Sequence, residues 1–341
     1  MSEVQPLVSI VIPVYNQRVD FFRACVESAI NQTYQNLEII ISDNHSTNEI
    51  PELINEYCKL DSRIKKIKPD QHLTLSNHFL FALKKSTGKY LSSLSSDDIL
   101  QKEAIASLVP GMEDNPKTIY GHGIIERLEK DNYINPSGEH NLNLITGVYT
   151  IDNVWKRLAA FGYIWFVGML VRTDRFIELL AENEDICYRI TYTFDILFTL
   201  MALNNKGEFY YISKKLALVR AENDTRAHRF IPYLNDLKII NNYIEQVYET
   251  KYGSEEIRYR RKLFYSDICI ICFNEYMLKR CSKETFMEAL AIIKEDLNSF
   301  QSFFCSKYTY HFYIFYLRTL YVLNRKARAA IRSILKRLKI L

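Results

Sequence analysis

Residues 7–14 read Leu7-Val8-Ser9-Ile10-Val11-Ile12-Pro13-Val14, an almost unbroken apolar run rich in β-branched side chains. A segment with no polar face to leave in water predicts a strand covered on both sides, as in a parallel sheet flanked by helices. Outward from it, residues 20–31 (DFFRACVESAIN) place Phe22, Cys25 or Val26, and Ala29 at helical spacing, and residues 37–42 (LEIIIS) repeat the strand. A helix at 49–59, a short strand at 63–68, a helix at 75–85 stopped by Gly88, and a strand at 89–94 follow. Strand, helix and strand repeat three times by residue 94, which predicts an α/β fold with a mostly parallel central sheet.

Beyond residue 126 the periodicity weakens, and Asn135, Pro136, Ser137 and Gly138 predict a loop. Residues 163–171 read as a further buried strand and 192–204 (YTFDILFTLMALN) as a helix with one aspartate near its start. From 231 to 341, Tyr, Phe, Ile and Leu recur at helical spacing. The expected organisation is therefore three parts: residues 1–125, residues 126–230, and a helical extension over 231–341.

The chain has 341 residues, 48% hydrophobic and 25% charged, which is globular composition and excludes a disordered or fibrous protein. Its net charge of +4 is unevenly spread. The last 24 residues hold eight Lys and Arg and no acid, so residues 1–317 carry −4. An acidic body argues against nucleic acid as a partner, because phosphates need a basic face to neutralise them. The N-terminus has no cationic region ahead of its apolar run, so a secretory signal is not expected and a cytoplasmic location is. Seven scattered cysteines suit reduced thiols, and Cys269 and Cys272, a C-x-x-C with no second pair, read as core helix. The uncharged stretch 158–171 is 14 residues, short of the roughly 20 needed to span a bilayer.

Ligands of open parallel sheets bind beyond the carboxyl ends of the strands. Those positions hold Pro13, Val14, Tyr15 and Asn16 after the first strand, Asp43 to Thr47 after the second, and Ser95, Ser96, Asp97 and Asp98 after the fourth. No glycine-rich phosphate loop stands at a strand end, which argues against dinucleotide-linked dehydrogenases and P-loop enzymes. Phosphates bound here would need a metal. Asp97 and Asp98 are hard oxygen ligands suited to Mg²⁺ or Mn²⁺. They equally suit the N-terminus of a helix starting near residues 99–102, with Ser96 or Asp97 as its cap. Asp43 likewise reads as a binding carboxylate or as a turn residue.

Taken together, VSIVIPVYNQ, the segment S-x-x-x-Q-T-Y-x-N-x-E-I-I-I-S-D-N-H-S-T, and the segment S-N-H-F-x-x-A-x-x-x-x-G-K-Y-x-x-x-L-S-S-D-D-I-L resemble the inverting family 2 glycosyltransferases of the GT-A fold, from about residue 6 to 100 and more weakly to 228. The resemblance implies a Rossmann-like α/β/α domain whose first half binds a nucleotide sugar, a UDP sugar, and whose second half, residues 126–230, binds the acceptor. Asp43 matches the aspartate that reads the base, the backbone at Pro13, Val14 and Tyr15 lines base and ribose, and Asn77 matches a position near the nucleotide. Asp97 would approach the ribose or donor sugar, and Asp98 would ligate a divalent Mn²⁺ or Mg²⁺ on the diphosphate. The departures are Asp43-Asn44-His45-Ser46 where Asp-Asp-Gly-Ser is common, and Ser95-Ser96-Asp97-Asp98 where Asp-x-Asp-Asp is.

Inverting transfer needs a base to take the acceptor's proton. In similar proteins it is an aspartate at a helix start about a hundred residues past the metal motif. Asp195 fits, against a purely electrostatic role at that helix start; Glu184 and Asp185 compete from a polar run read as loop. Arg220 matches the family's arginine near the diphosphate, while Glu222 stands where a metal-binding histidine is usual, with His228 as the alternative. His72, His78, His122, His140 and His311 read as structural or solvated. The basic tail places Ala327, Ile331 and Leu338 on one face and Arg325, Arg328, Arg332, Lys336 and Lys339 largely on the other. That pattern suits peripheral binding to an anionic membrane surface, at about 1 kcal/mol per basic residue, or a docked terminal helix.

The expected activity is transfer of a hexose or N-acetylhexosamine to a glycan or lipid-linked acceptor in surface polysaccharide synthesis, at the inner face of the plasma membrane. The competing reading is a non-catalytic scaffold of the same fold. A nucleotidyltransferase would need a basic triphosphate loop that the sequence lacks.

Overall fold

The structure, a computed structural model, describes residues 5–128, 134–140, 142, 144–150, 166–204, 207–220, 226–253, 255, 282, 284, 285, 287–289, 291 and 292. The chain divides into two compact units, Met1–Asp224 and Thr225–Leu341.

The first unit is built on one sheet. Its strands are β1 (Val8–Val14), β2 (Leu37–Asp43), β3 (Ile64–Ile67), β4 (Tyr90–Ser93), β5 (Ile99–Leu100), β6 (Thr118–Leu128), β7 (Ile134–His140), β8 (Gly147–Tyr149), β9 (Leu170–Arg172) and β10 (Glu208–Arg220). They run in the order β3-β2-β1-β4-β9-β6-β10-β5, with β7 on β6 and β8 on β10. The first four strands are parallel, as are β6 and β10; β9 enters antiparallel between β4 and β6. Every residue of β1 and β2 is buried, as the apolar runs required. The chain steps outward from β1 through β2 to β3 and then crosses back to β4 on the other side of β1, so the reversal that creates a ligand crevice falls between β1 and β4.

Helices α1 (Val19–Ile30), α2 (Ile50–Leu60) and α4 (Ala104–Asp114) put Phe22, Cys25, Leu53, Ile54, Ile105 and Leu108 into one core with alternate residues of β1 and β2. Helix α3 (Leu75–Leu83) packs against β1 and β2, where the histidine ring of His78 meets Ser42 of β2. Gly88, beyond the end of α3, has no left-handed backbone; it is needed because a Cβ there would lie 2.7 Å from the Leu7 carbonyl oxygen.

At the amino ends of these strands, buried Glu38 of β2 accepts the Ser9 hydroxyl at 2.5 Å, the Thr87 backbone N–H at 2.7 Å and the Lys65 ammonium at 2.6 Å. Burial pushes this carboxyl up, but the lysine, serine and threonine donors together outweigh it and hold it at about 2.

Three expectations are corrected. Asn135 to Gly138 lie within β7, paired antiparallel with β6; the proline is tolerated because, among the described residues, β7 has one strand beside it in the sheet. Residues 99 and 100 form a strand against β10, and the helix begins only at Ala104, so neither Ser96 nor Asp97 caps it. Glu184 and Asp185 open a helix, α6 (Glu184–Arg189), rather than a loop. Helix α5 (Thr173–Glu182) precedes it and α7 (Phe194–Asn204) follows. In the second unit α8 spans Arg226–Tyr252 and buries Leu234, Leu237 and Ile240. Cys269, Cys272 and the basic tail lie outside the described residues. Among the described residues no helix is long and apolar enough to cross a membrane.

Candidate active site

Val14 and Asp43 are paired residues at the ends of β1 and β2. Asp43 is 1% exposed, and its Oδ1 accepts the Ser46 N–H at 2.9 Å, which turns the chain back at once. The two loops are knitted together, with the Asn16 N–H donating to Ser46 Oγ at 2.9 Å and the Thr47 N–H to Asn16 Oδ1 at 2.8 Å. Asn16 and His45 take left-handed backbone, φ 46° and 64°. Asparagine tolerates that region well; histidine does so less often, at a position where the family commonly has glycine.

Behind Asp43, His78 Nε2 lies 2.9 Å from Ser42 Oγ. Burial drives this ring down to about 4 against the pull of the Asp43 carboxylate, so it is neutral at pH 7. Its neighbour Asn77 has a buried Oδ1 with no hydrogen-bond partner.

Asp97 and Asp98 stand in a turn closed by Asp98 N–H to Ser95 O at 3.0 Å, between β4 and β5. Asp98 is 4% exposed. Burial first, then the Asp97 charge, raises its carboxyl well above the usual range, against the Arg220 N–H and the Ser95 hydroxyl. Gln17 Nε2 donates to Ser96 Oγ at 3.2 Å, linking this turn to the loop after β1. The sheet therefore brings Pro13, Val14, Tyr15, Asp43, Asp97 and Asp98 to one edge.

Asp195 arrives on the first turn of α7, accepting the Ile196 N–H at 2.9 Å. Around it Phe166 meets Phe194 at 5.9 Å, Phe198 at 5.0 Å and Phe79 of α3 at 5.8 Å, while Val167 bridges to Ser93 at the end of β4. One aromatic cluster thus joins the start of α7 to the helix carrying Asn77. Burial raises the Asp195 carboxyl to about 7, near the working range of a proton acceptor. Asp185, paired with Arg189 at 3.5 Å with its side chain 89% exposed, and Glu184, 64% exposed, have no such environment. Glu222 and the side chain of His228 lie outside the described residues. The sequence marks Asn44 and His45 only as departures from the family's turn and reads His72 as structural or solvated; their partners are loop backbone atoms about 25 residues away, and no periodic signal announces such contacts.

Residues 9–176 match the family described as Glycosyl transferase family 2. An uncharacterized glycosyltransferase of Rickettsia bellii is 29% identical over 222 residues, 64% of this chain and 29% of that protein. The glucosyltransferase WfaP of Escherichia coli, named as UDP-Glc:alpha-D-GlcNAc-diphosphoundecaprenol beta-1,3-glucosyltransferase, is 41% identical over 107 residues, 31% of this chain and 41% of WfaP. The crystal structure of S. aureus TarS 1–349 superposes with a TM-score of 0.61 at 17% identity, covering 85% of this chain and 80% of that one. Its complex with UDP-GlcNAc gives 0.51 at 16% identity, covering 77% and 80%. The chain carries a family 2 glycosyltransferase domain and shares the GT-A fold of TarS. It spans about a third of the length of the Rickettsia relatives it matches.

Proposed function

We propose that this domain is an inverting glycosyltransferase that moves a sugar from a nucleoside diphosphate sugar, a UDP sugar, to a glycan or lipid-linked acceptor. The observation that carries the reading is the gathering of Asp43 and the Asp97–Asp98 pair at one sheet edge, held in place by Arg220 and Gln17. Asp43 has committed Oδ1 to its turn, and Oδ2 would accept the ring N–H of the base. The backbone at Pro13, Val14 and Tyr15 would line base and ribose, with the buried Asn77 Oδ1 as a further acceptor. WfaP is named for a UDP sugar and TarS is solved with one, which supports uridine as the nucleoside and a hexosyl or N-acetylhexosaminyl group as cargo.

A divalent ion, Mn²⁺ or Mg²⁺, fits the acidic pair. Asp98 is a buried carboxylate beside a second one, a setting that a cation relieves, and such ions complete their shells from phosphates and water. Among the described residues no three potential ligands cluster; Glu222 would be the third ligand. The ion would neutralise charge developing on the leaving diphosphate. Asp195 takes the acceptor hydroxyl proton as that oxygen bonds to the anomeric carbon; the bond from that carbon to phosphate oxygen breaks, and the nucleoside diphosphate leaves on the opposite face.

A lipid-linked acceptor, like the one in the name of WfaP, would place the reaction at the cytoplasmic membrane surface, where the basic segment 318–341 would supply attraction to anionic lipid. In this scheme residues 1–125 hold the donor, 126–230 the acceptor, and 231–341 the extension. The test is incubation with a panel of nucleotide sugars and polyprenyl-diphosphate-linked saccharides, with and without Mn²⁺, following nucleotide release and the anomeric configuration of the product by NMR. Inverted product supports the reading. Retained configuration contradicts the mechanism, and binding of no nucleotide sugar leaves only the fold.

A further inference from the structure

The turn after Asp43 differs from its family's at Asn44 and His45, and both residues are in use. Asn44 commits both ends of its amide to Leu73, Nδ2 donating to the carbonyl oxygen and Oδ1 accepting the N–H, each at 2.9 Å. His45 Nε2 lies 3.0 Å from the Pro69 oxygen, and His72 Nδ1 lies 3.0 Å from the Asn44 oxygen. A carbonyl only accepts, so in each histidine the bonded nitrogen carries the proton. Four hydrogen bonds therefore fasten residues 69–73 onto the turn that holds Asp43.

The fastening sets the His72 ring 4.6 Å from that of Tyr15, at an interplanar angle of 56°. Tyr15 is nonetheless 50% exposed and Leu75, at the start of α3, 46% exposed. Flat and apolar side chains left in water beside a buried carboxylate form a surface made to be covered.

We propose that His72 is a specificity-determining residue of the donor site: fixed by Asn44 and His45, it adds a second, inclined face to the Tyr15 ring, an angled aromatic wall against which a nucleobase lies while Asp43 reads the edge of the base. This rests on the donor reading above. The wall is preorganised, because residues 69–73 are already tied down and the base does not have to order them. It also gives the departures from the family's turn a purpose, since glycine at position 45 would remove the bond to Pro69.

Calorimetric titration of UDP and of inorganic pyrophosphate, with Mn²⁺ present, separates the ring from the hydrogen bond. His72→Asn keeps a donor but has no ring, His72→Phe keeps a flat ring but has no donor, and His72→Ala has neither. Loss of a base-stacking ring should weaken UDP about tenfold in the Ala and Asn variants and less than about twofold in Phe, with pyrophosphate affinity the same in all. Wild-type affinity in the Asn variant with loss in Phe would assign the effect to the hydrogen bond and overturn the wall. Equal UDP affinity in all four proteins, or pyrophosphate affinity falling in step with UDP, would overturn it too. Should the wild type bind no nucleoside diphosphate, the donor reading and the wall fall together; UDP binding indifferent to His72 sinks the wall alone.

Discussion

The backbone N–H of Arg220 donates to Asp98 Oδ1 at 2.9 Å, across 122 residues of chain, while its guanidinium Nε donates to the Asp97 carbonyl oxygen, also at 2.9 Å. The last residue of β10 thus holds both members of the acidic pair. Its guanidinium carbon lies 4.2 Å from the centroid of the Phe21 ring in α1, and that of Arg18 lies 3.9 Å from the same centroid. Cation–π contacts of this kind contribute about 0.5–2 kcal/mol each. The carboxylate of Asp98 and the backbone that carries Asp97 are therefore positioned by the end of β10, whose last side chain packs on α1.

Asp98→Asn should abolish the tightening of UDP binding by Mn²⁺. A carboxamide keeps the oxygen that accepts the Arg220 N–H but loses the charge that attracts the ion. The loss should be at least the 10- to 100-fold that changes around a metal's own ligands typically produce. Calorimetry with and without Mn²⁺ checks it; identical metal dependence in both proteins would remove Asp98 from the ion's shell.

Asp195→Asn should keep UDP affinity and reduce sugar transfer by about 10²-fold or more, the usual contribution of a general base. With the Asp195 carboxyl raised to about 7, it is protonated and idle at pH 5.5 and ionised at pH 8.5, so wild-type transfer should rise through about pH 7 and then level off. The variant's residual rate should lack that step. The same shift has a sign for stability. The folded state holds a proton that the unfolded chain releases near pH 4, so stability from this group is present at low pH and lost as pH rises from about 4 to 7. Urea denaturation at pH 8 should find the Asn variant more stable than the wild type.

Much of this was legible from residues 7–14 and 37–42, because a strand buried on both faces leaves an unbroken apolar run that few other structures need. The ends of the second and fourth strands then name Asp43 and the pair Asp97 and Asp98. Strand β7 was not legible, since Pro136 and Gly138 carry turn chemistry and an edge strand tolerates both. Nor was β5, whose two residues are held by the long-range partners Ala217 and Leu218. The fastening of His72 was hidden for a related reason: it depends on single polar contacts between loops, which leave no pattern in local sequence.

Glu38→Gln should destabilise the domain by about 1–3 kcal/mol at pH 7, since it breaks a buried carboxylate's bonds to Ser9, Lys65 and Thr87. With its carboxyl held at about 2, the stabilisation is present above the unfolded value near 4.5 and is lost as pH falls from there toward 2. Wild type and variant should therefore converge in acid. A constant difference between them from pH 7 to pH 2.5 would contradict the assignment.

The central claim is that Asp43, at the carboxyl end of β2, reads the base of a nucleoside diphosphate donor. Titration of UDP into the wild type and into Asp43→Ala, each confirmed folded by its melting transition, tests it most directly. A hydrogen bond to a buried charged group is worth roughly 1.5–3 kcal/mol, so the account predicts UDP binding by the wild type and affinity about 10- to 150-fold weaker in the variant. Equal affinity in the two proteins would return Asp43 to its turn alone and contradict the claim.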